Sequence, residues 1–256
     1  MHRFFIKSKA GNLVMLITFF LMSAGGVSPQ PSPTGPAPQY RVGYVNLPPQ
    51  IDADWEKPFW KVHPVLTLKH YMGEKPQHFP RTRARLAYDT NALYVIFQVQ
   101  DQYVRAVAEK PQDPVYKDSC VEFFFSPEED SDSGYFNLEM NCGGTLLFQH
   151  QLKRGEDVER VSGEDIERIS IAHSLPRIVD PEIQDSVTWT VEYRLPFKLL
   201  TRYAPLRAPD TGTRWRANFY KCADATSHPH WLTWAPVDHP KPNFHLPEFF
   251  GTLVFD

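Results

Sequence analysis

Between Arg83 and Ser126 the chain alternates apolar and polar side chains with a period of two, the signature of half-buried strands rather than of a helix. Ala84, Leu86 and Tyr88 share one face, Asp89-Thr90-Asn91 supplies a turn, and Leu93, Val95, Phe97 and Val99 resume the alternation. A third strand follows at Asp118-Ser119-Cys120-Val121-Glu122-Phe123-Phe124-Phe125. It sets a carboxylate, Glu122, inside an aromatic run. Burying a carboxylate is costly unless it is paired or meets a ligand, so Glu122 needs a reason to be there.

The same period recurs downstream. Phe136, Leu138, Met140 and Cys142 alternate with Asn137, Glu139 and Asn141, and Gly143-Gly144 is a hairpin turn leading into 145–151. Trp189, Val191, Tyr193 and Leu195 form another strand. Trp215, Ala217 and Phe219 alternate with Arg216, Asn218 and Tyr220, and 251–255 closes the set. Residues 65–71 read as an edge strand, and 154–185 as a long polar excursion with short strands around Ile169 and Ile171. Ile51-Asp52-Ala53-Asp54-Trp55 and Pro58-Phe59-Trp60 form a turn with two tryptophans that packs as a lid on the core. The 24 prolines argue against a helical architecture, and only 197–203 invites a helix. Many short alternating strands separated by turns predict an all-β fold, an antiparallel two-layer β-sandwich of jelly-roll or immunoglobulin-like form.

The N-terminus reads as a targeting segment. His2, Arg3, Lys7 and Lys9 make a basic region, residues 13–22 a short apolar run, and Ser23-Ala24-Gly25-Gly26 a small-residue cleavage site. The apolar run is about half the ~20 residues a spanning helix requires, so a signal peptide over residues 1–24 is expected rather than a stable membrane span. Five prolines in 28–39 make residues 25–39 a semi-extended linker. The remainder, 40–256, is one domain, exported to the periplasm or the medium. With 27 Lys and Arg against 30 Asp and Glu and no basic stripe, nucleic acid is not an expected partner.

Three strands each put polar residues on one face: Glu122; Asn137, Glu139 and Asn141; Arg216, Asn218 and Tyr220. One reading is an ordinary wet face of a sandwich. The other is a polar concavity flanked by aromatic rings, with Tyr116 before the Glu122 strand and Trp231 and Trp234 after the Arg216 strand. Rings beside Arg, Asn and Glu suit a neutral polyol, whose C–H face stacks on an aromatic while its hydroxyls take donors and acceptors. The tryptophans read equally as core packing, and Glu122 as the ion-pair partner of Arg216.

The chain resembles the family 9 carbohydrate-binding modules. The resemblance rests on Ile51-Asp52-Ala53-Asp54-Trp55-Glu56 with Trp60; Ala84-Arg85-Leu86-Ala87-Tyr88-Asp89 with Leu93-Tyr94-Val95 and Val99-Gln100-Asp101; Asp118-Ser119-Cys120-Val121-Glu122-Phe123-Phe124; Trp189-Thr190-Val191-Glu192 with Leu195-Pro196; Trp215-Arg216-Ala217-Asn218-Phe219-Tyr220; and Trp234-Ala235-Pro236 with Phe244-His245 to Phe250-Gly251. It implies a sugar held between two aromatic rings and hydrogen-bonded by a glutamate, arginines and an asparagine. On that basis Tyr116 stands nearest the first stacking position, Glu122 is the glutamate, Arg216 and Asn218 the late polar pair, and Trp231, ahead of Trp234, the second ring. With Asn141 these seven make the candidate ligand set. Structural calcium occurs in the family, and the acidic loop 128–132, with Asp130 and Asp132, offers oxygen ligands for it.

Other chemistries stay open at this point. Glu122 and Glu139 on neighbouring strands could form the carboxylate pair of a glycosidase. Related sandwiches use the corresponding pocket for haem, for which Met140 is the available axial ligand, although no Cys-x-x-Cys-His is present. His228, His230, His239 and His245 form a loose group that zinc would accept. Cys120, Cys142 and Cys222 all fall in strands and read as small buried hydrophobes or as one disulfide with a thiol left over.

Overall fold

The computed structural model describes residues 35–127 and 133–256. The expected signal peptide, most of the expected linker, and the calcium candidates Asp130 and Asp132 lie outside the described residues. Sixteen strands carry the described fold. The first eight are β1 (Gln39–Tyr44), β2 (Leu66–Thr67), β3 (His70–Tyr71), β4 (Arg81–Tyr88), β5 (Ala92–Asp101), β6 (Val104–Ala106), β7 (Cys120–Ser126) and β8 (Tyr135–Asn141). They are followed by β9 (Leu146–Gln151), β10 (Glu159–Arg160), β11 (Ser170–His173), β12 (Val179–Ile183), β13 (Val187–Pro196), β14 (Arg214–Cys222), β15 (Trp231–Thr233) and β16 (Gly251–Phe255). Among the described residues α-helix is confined to three single turns, α1 (Pro58–Lys61), α2 (Gly163–Ile166) and α3 (Phe197–Leu200), beside 3-10 turns at Val115–Lys117 and Pro247–Phe249. The last α-helical turn lies where the sequence invites one; the other two fall in segments whose patterns suggest a turn and a loop.

One layer runs β10-β9-β8-β7-β14-β16-β1 and the other β1-β4-β5-β13-β11. All these pairings are antiparallel except those of β1, which lies parallel to β16 through Gln39 to Val42 and parallel to β4 through Gly43 and Tyr44. β1 therefore steps from one layer to the other, and the sandwich is a single curled sheet. The change of sheet falls at Gly43, where an added Cβ would approach the His63 ring to 2.9 Å. The expected single edge strand over 65–71 is instead two short strands in different layers, β2 against β4 and β3 against β15.

The turns are built as the residues dictate. Asp89 Oδ1 accepts from the backbone of Asn91 at 2.7 Å and Ala92 at 2.8 Å, and its Oδ2 accepts from the Tyr94 hydroxyl at 2.7 Å, fixing the β4–β5 hairpin. Between β8 and β9, Gly144 takes φ +81°, a left-handed conformation that glycine adopts without cost.

The core lies between the layers. From the first come Val121, Phe123, Phe125, Phe136, Leu138, Met140 and Phe219; from the second come Leu86, Val95, Phe97, Trp189 and Tyr193, all essentially inaccessible. Phe123 stacks on Phe219 at 4.8 Å and Phe125 on Trp215 at 5.5 Å. Offset pairs of this kind add about 0.5–1.5 kcal/mol beyond area burial. Trp55 and Trp60 do not join this core. They cover Ala87, Ala92, Tyr94 and Ile96 on the outer face of the second layer. Glu192 anchors them: its Oε1 accepts from Trp60 Nε1 at 2.8 Å, and its Oε2 from the backbone of Asp52 and Ala53 and from Lys57.

Candidate functional site

Residues opposed across an antiparallel ladder point to the same face. Glu122 opposes Glu139 on one side and Tyr220 on the other, and Cys120 opposes Asn141 and Cys222. Glu139 in turn opposes Leu147, and Asn137 opposes Gln149. These side chains all stand on the outer face of the first layer, away from the core. Glu122 thus escapes the aromatic run around it because strand alternation turns it outward.

Part of that face is covered. After β15 the chain returns across β14: Phe244 stacks on Tyr220 at 4.1 Å, the Tyr220 hydroxyl donates to the Phe244 carbonyl, and Phe250 and Val237 pack beside them. What remains open is a cavity of about 490 Å³ lined by Tyr116, Glu122, Asn137, Glu139, Leu147, Gln149, Arg154, Arg160, Cys222, Asp224, Trp231 and His245, with Gln112 and Asn243 at its margins.

Tyr116 sits on a single 3-10 turn, Val115–Lys117. Its carbonyl accepts from Asp224 and that of Lys117 accepts from Ala225, which ties the turn to the loop leaving β14. Trp231 opens β15 opposite Cys222, so its ring falls on the cavity side, and its Nε1 donates to Asp224 Oδ1 at 2.8 Å. Both rings are therefore fastened to the same end of β14. Tyr116 is 38% exposed and Trp231 half-buried, unlike the inaccessible aromatics of the core.

The polar wall is a relay of fixed groups. The Tyr135 hydroxyl and Gln151 Nε2 both donate to His245 Nδ1, at 2.8 and 3.3 Å. Gln151 Nε2 also donates to Asn137 Oδ1 at 2.8 Å, and Asn137 Nδ2 donates to Glu139 Oε1 at 3.0 Å. Burial, aided by Arg154, lowers His245 to about 4, so its imidazole is neutral and free to accept. Glu139 Oε2 is buried without a hydrogen-bond partner. Burial lifts Glu139 to about 7, and burial with Cys222 and Glu139 as neighbours lifts Glu122 well above the usual carboxylate range. Glu122 does not pair with Arg216; its Oε1 accepts from Cys222 Sγ at 3.0 Å.

Of the seven residues read from the sequence, Tyr116, Glu122 and Trp231 converge on the cavity. The other four stand elsewhere, each with a visible structural task. Arg216 donates to the carbonyls of Pro247, Glu248 and Phe250, the last at 2.7 Å. Asn218 is held face to face with the backbone of Ala235, donating to its carbonyl and accepting from its N–H. Asn141 lies under Asp118 and accepts from the backbone of Gly143 and Thr145, bracing the hairpin. Trp234 packs edge-on against Phe219 within the core. The returning segment is the common cause for Arg216 and Asn218: it occupies the part of the face where a ligand would meet them.

The sequence does not point to Arg154, Arg160 or Gln149, and it offers His245 as a zinc ligand rather than as part of this cavity. The outward position of Gln149 is legible from the alternation of β9, but Arg154 lies in irregular chain and Arg160 in a two-residue strand too short to show a periodicity. Met140 is buried in the core, facing away from the cavity, so it is not positioned as an axial ligand there. The four histidines do not converge: His228 stacks on Tyr103 at 3.6 Å, His230 Nε2 lies 2.7 Å from Lys221 Nζ, His239 meets the Lys241 carbonyl, and His245 lines the cavity. All three cysteines are buried and unbridged.

On the outer face of a β-sandwich, then, lies a cavity that joins two aromatic rings with amides, carboxyl groups and arginines. Residues 62–255 match carbohydrate-binding family 9, and the chain belongs to that family. The chain is similar to a candidate carbohydrate-binding protein from Bacteroides uniformis, with 29% identity, a TM-score of 0.77, and coverage of 86% of this chain and all of that one. It shares its fold with a family 9 module from Caldicellulosiruptor kristjanssonii solved with cellotriose, at 19% identity and a TM-score of 0.58 over 85% of this chain and 93% of that one. The same module solved with glucose gives the same identity and score, over 86% of this chain and 96% of that one. Among curated sequences, an "Extracellular protein" of Arthroderma benhamiae is 23% identical over 188 residues, 71% of this chain and 81% of that one. No helix among the described residues is long and apolar enough to cross a membrane.

Proposed function

We propose that this protein binds carbohydrate without turning it over, in the cavity between Tyr116 and Trp231. The observation that carries the reading is the convergence of these two rings, one from a 3-10 turn and one from the start of β15, on one cavity whose walls also carry hydrogen-bonding side chains. A pyranose presents apolar C–H faces to rings and hydroxyls at its rim. In this cavity Glu122, Glu139, Asn137, Gln149 and the arginines supply both donors and acceptors at that rim. The family 9 module solved with glucose and cellotriose supports the ligand class. Asn141, Arg216, Asn218 and Trp234 serve the site from behind, by holding the strands and the returning segment. The basic and apolar segments of 1–22 support export, with cleavage near residue 24 and the prolines of 25–39 as a tether; the N-terminal sequence of the mature protein tests this.

The decisive experiment is calorimetric titration with neutral mono- and oligosaccharides, including pairs with free and reduced ends. Saturable binding lost in both Tyr116→Ala and Trp231→Ala at unchanged melting temperature supports the reading. A panel without any binder sinks it. One observation favours a second reading, glycoside hydrolysis: Glu122 and Glu139 oppose each other on neighbouring strands and line one cavity. New reducing ends appearing during the same titrations would establish it in place of binding alone.

A further inference from the structure

Cys120 and Cys222 oppose each other across β7 and β14, and Glu122 is two residues along β7 on the same face. One ligand atom from each of the three lies within 4.8 Å of the others, and all three residues are buried. Cys142 behaves otherwise: it is inside the core, where a thiol is a small hydrophobe. Cys120 and Cys222 instead stand on the outer face, with Cys222 and Glu122 forming part of the cavity wall. We propose that Cys120, Cys222 and Glu122 form a site for a borderline-soft divalent cation of the Zn²⁺ class at the base of the cavity.

The geometry supports this in three ways. At tetrahedral angles with metal–sulfur bonds near 2.3 Å, two thiolates stand about 3.8 Å apart, so ligand atoms already within 4.8 Å close on a metal with small side-chain rotations. Two sulfur donors and one carboxylate select Zn²⁺ or Cd²⁺ over Ca²⁺ or Mg²⁺, which require oxygen. Finally, the buried Glu139 Oε2 has no partner, and Glu139 opposes Glu122 on the cavity side; a water on the fourth coordination position would give it one. Binding exchanges the S–H···O contact of Cys222 and Glu122 for metal–ligand bonds. The protons of both thiols and of the carboxyl leave to solvent, and the two thiolates, the carboxylate and the dication sum to one negative charge. This site uses donors other than the hard oxygens of the acidic loop, and it stands or falls independently of sugar binding.

The test uses the full-length protein, reduced and metal-free, titrated with Cd²⁺ alone. A thiolate-to-metal charge-transfer band saturating at one equivalent is expected, reversed by excess Zn²⁺. The band should vanish in Cys120→Ser and in Cys222→Ser, persist in Cys142→Ser, and require at least tenfold more Cd²⁺ in Glu122→Gln. Zn²⁺ should also slow alkylation of Cys120 and Cys222 in the unmutated protein while leaving the behaviour of core-buried Cys142 unchanged, a readout that does not depend on variants folding. No band from the reduced protein, a band unchanged in both serine variants, or a Cys120–Cys222 disulfide in the protein as isolated would each overturn the proposal.

Discussion

Trp231 and Trp234 are three positions apart, and in extended backbone an odd spacing sends two side chains to opposite faces. Trp231 therefore meets the cavity, while Trp234 meets Phe219 in the core. Their alanine variants should behave oppositely. Trp234→Ala removes a ring that is 9% exposed and should cost about 3–5 kcal/mol of stability, measured by urea unfolding. Trp231→Ala should leave the unfolding midpoint within experimental error and weaken a saccharide about tenfold, as expected for a stacking ring contributing about 1.4 kcal/mol. Equal melting losses in the two would show that Trp231 is structural. Alternation made the outward turn of Glu122 legible in the sequence, and the loop positions of Tyr116 and Trp231 suggested rings at the same end. It gave no warning that Arg216 and Asn218, equally outward, would be roofed over. Their partners are backbone carbonyls and amides, and backbone leaves no mark in a side-chain pattern.

β14 pairs with β7, β15 and β16 and carries side chains to both the cavity face and the interior. Outward it carries Cys222 and Tyr220. Inward, Lys221 is wholly buried, 3.5 Å from Asp101 at the end of β5 in the opposite layer and 5.9 Å from the Trp189 ring. Asp101 also meets His78 Nε2 at 2.7 Å and accepts from Trp189 Nε1. Burial alone would raise this carboxyl; Lys221 and His78 hold it well below its ordinary value. Removing one member of a buried pair strands the other charge. Lys221→Met should accordingly cost about 3–5 kcal/mol, and the double variant with Asp101→Asn should recover part of that loss, as a double-mutant cycle of unfolding free energies would show. Strict additivity would mean the two charges do not interact. The strands themselves were largely readable from the sequence, because each side chain reports its own burial. The switch of β1 between layers was not, since parallel pairing at both margins of one six-residue strand depends on partners far away in the chain.

For the molecule as a whole, buried titratable groups pull stability in opposite directions with pH. His230, lowered to about 3 by burial and Lys221, and His245, lowered to about 4, are neutral when folded, whereas an unfolded imidazole gains a proton below about 6.5. The unfolded chain then binds more protons, so the stability these histidines contribute is present above pH 6.5 and lost as pH falls toward 4, by at most about 1.4 kcal/mol per pH unit for each. Glu139, raised to about 7, works in reverse: its contribution is present below the unfolded carboxyl value and lost as pH rises through 7. Urea midpoints between pH 5 and 7 should therefore climb more steeply in Glu139→Gln than in the unmutated protein. Identical slopes would show that Glu139 ionises freely. β1 lies between β16 and β4, so the first of the described strands to leave the ribosome waits for β16 before its seam can close. Pairing across such a separation is slow, because the loop must be closed before any contact rewards it. A nascent chain stalled before residue 251 would expose the edges of β1 and β14 together, and should depend on a holding chaperone until the five residues of β16 emerge.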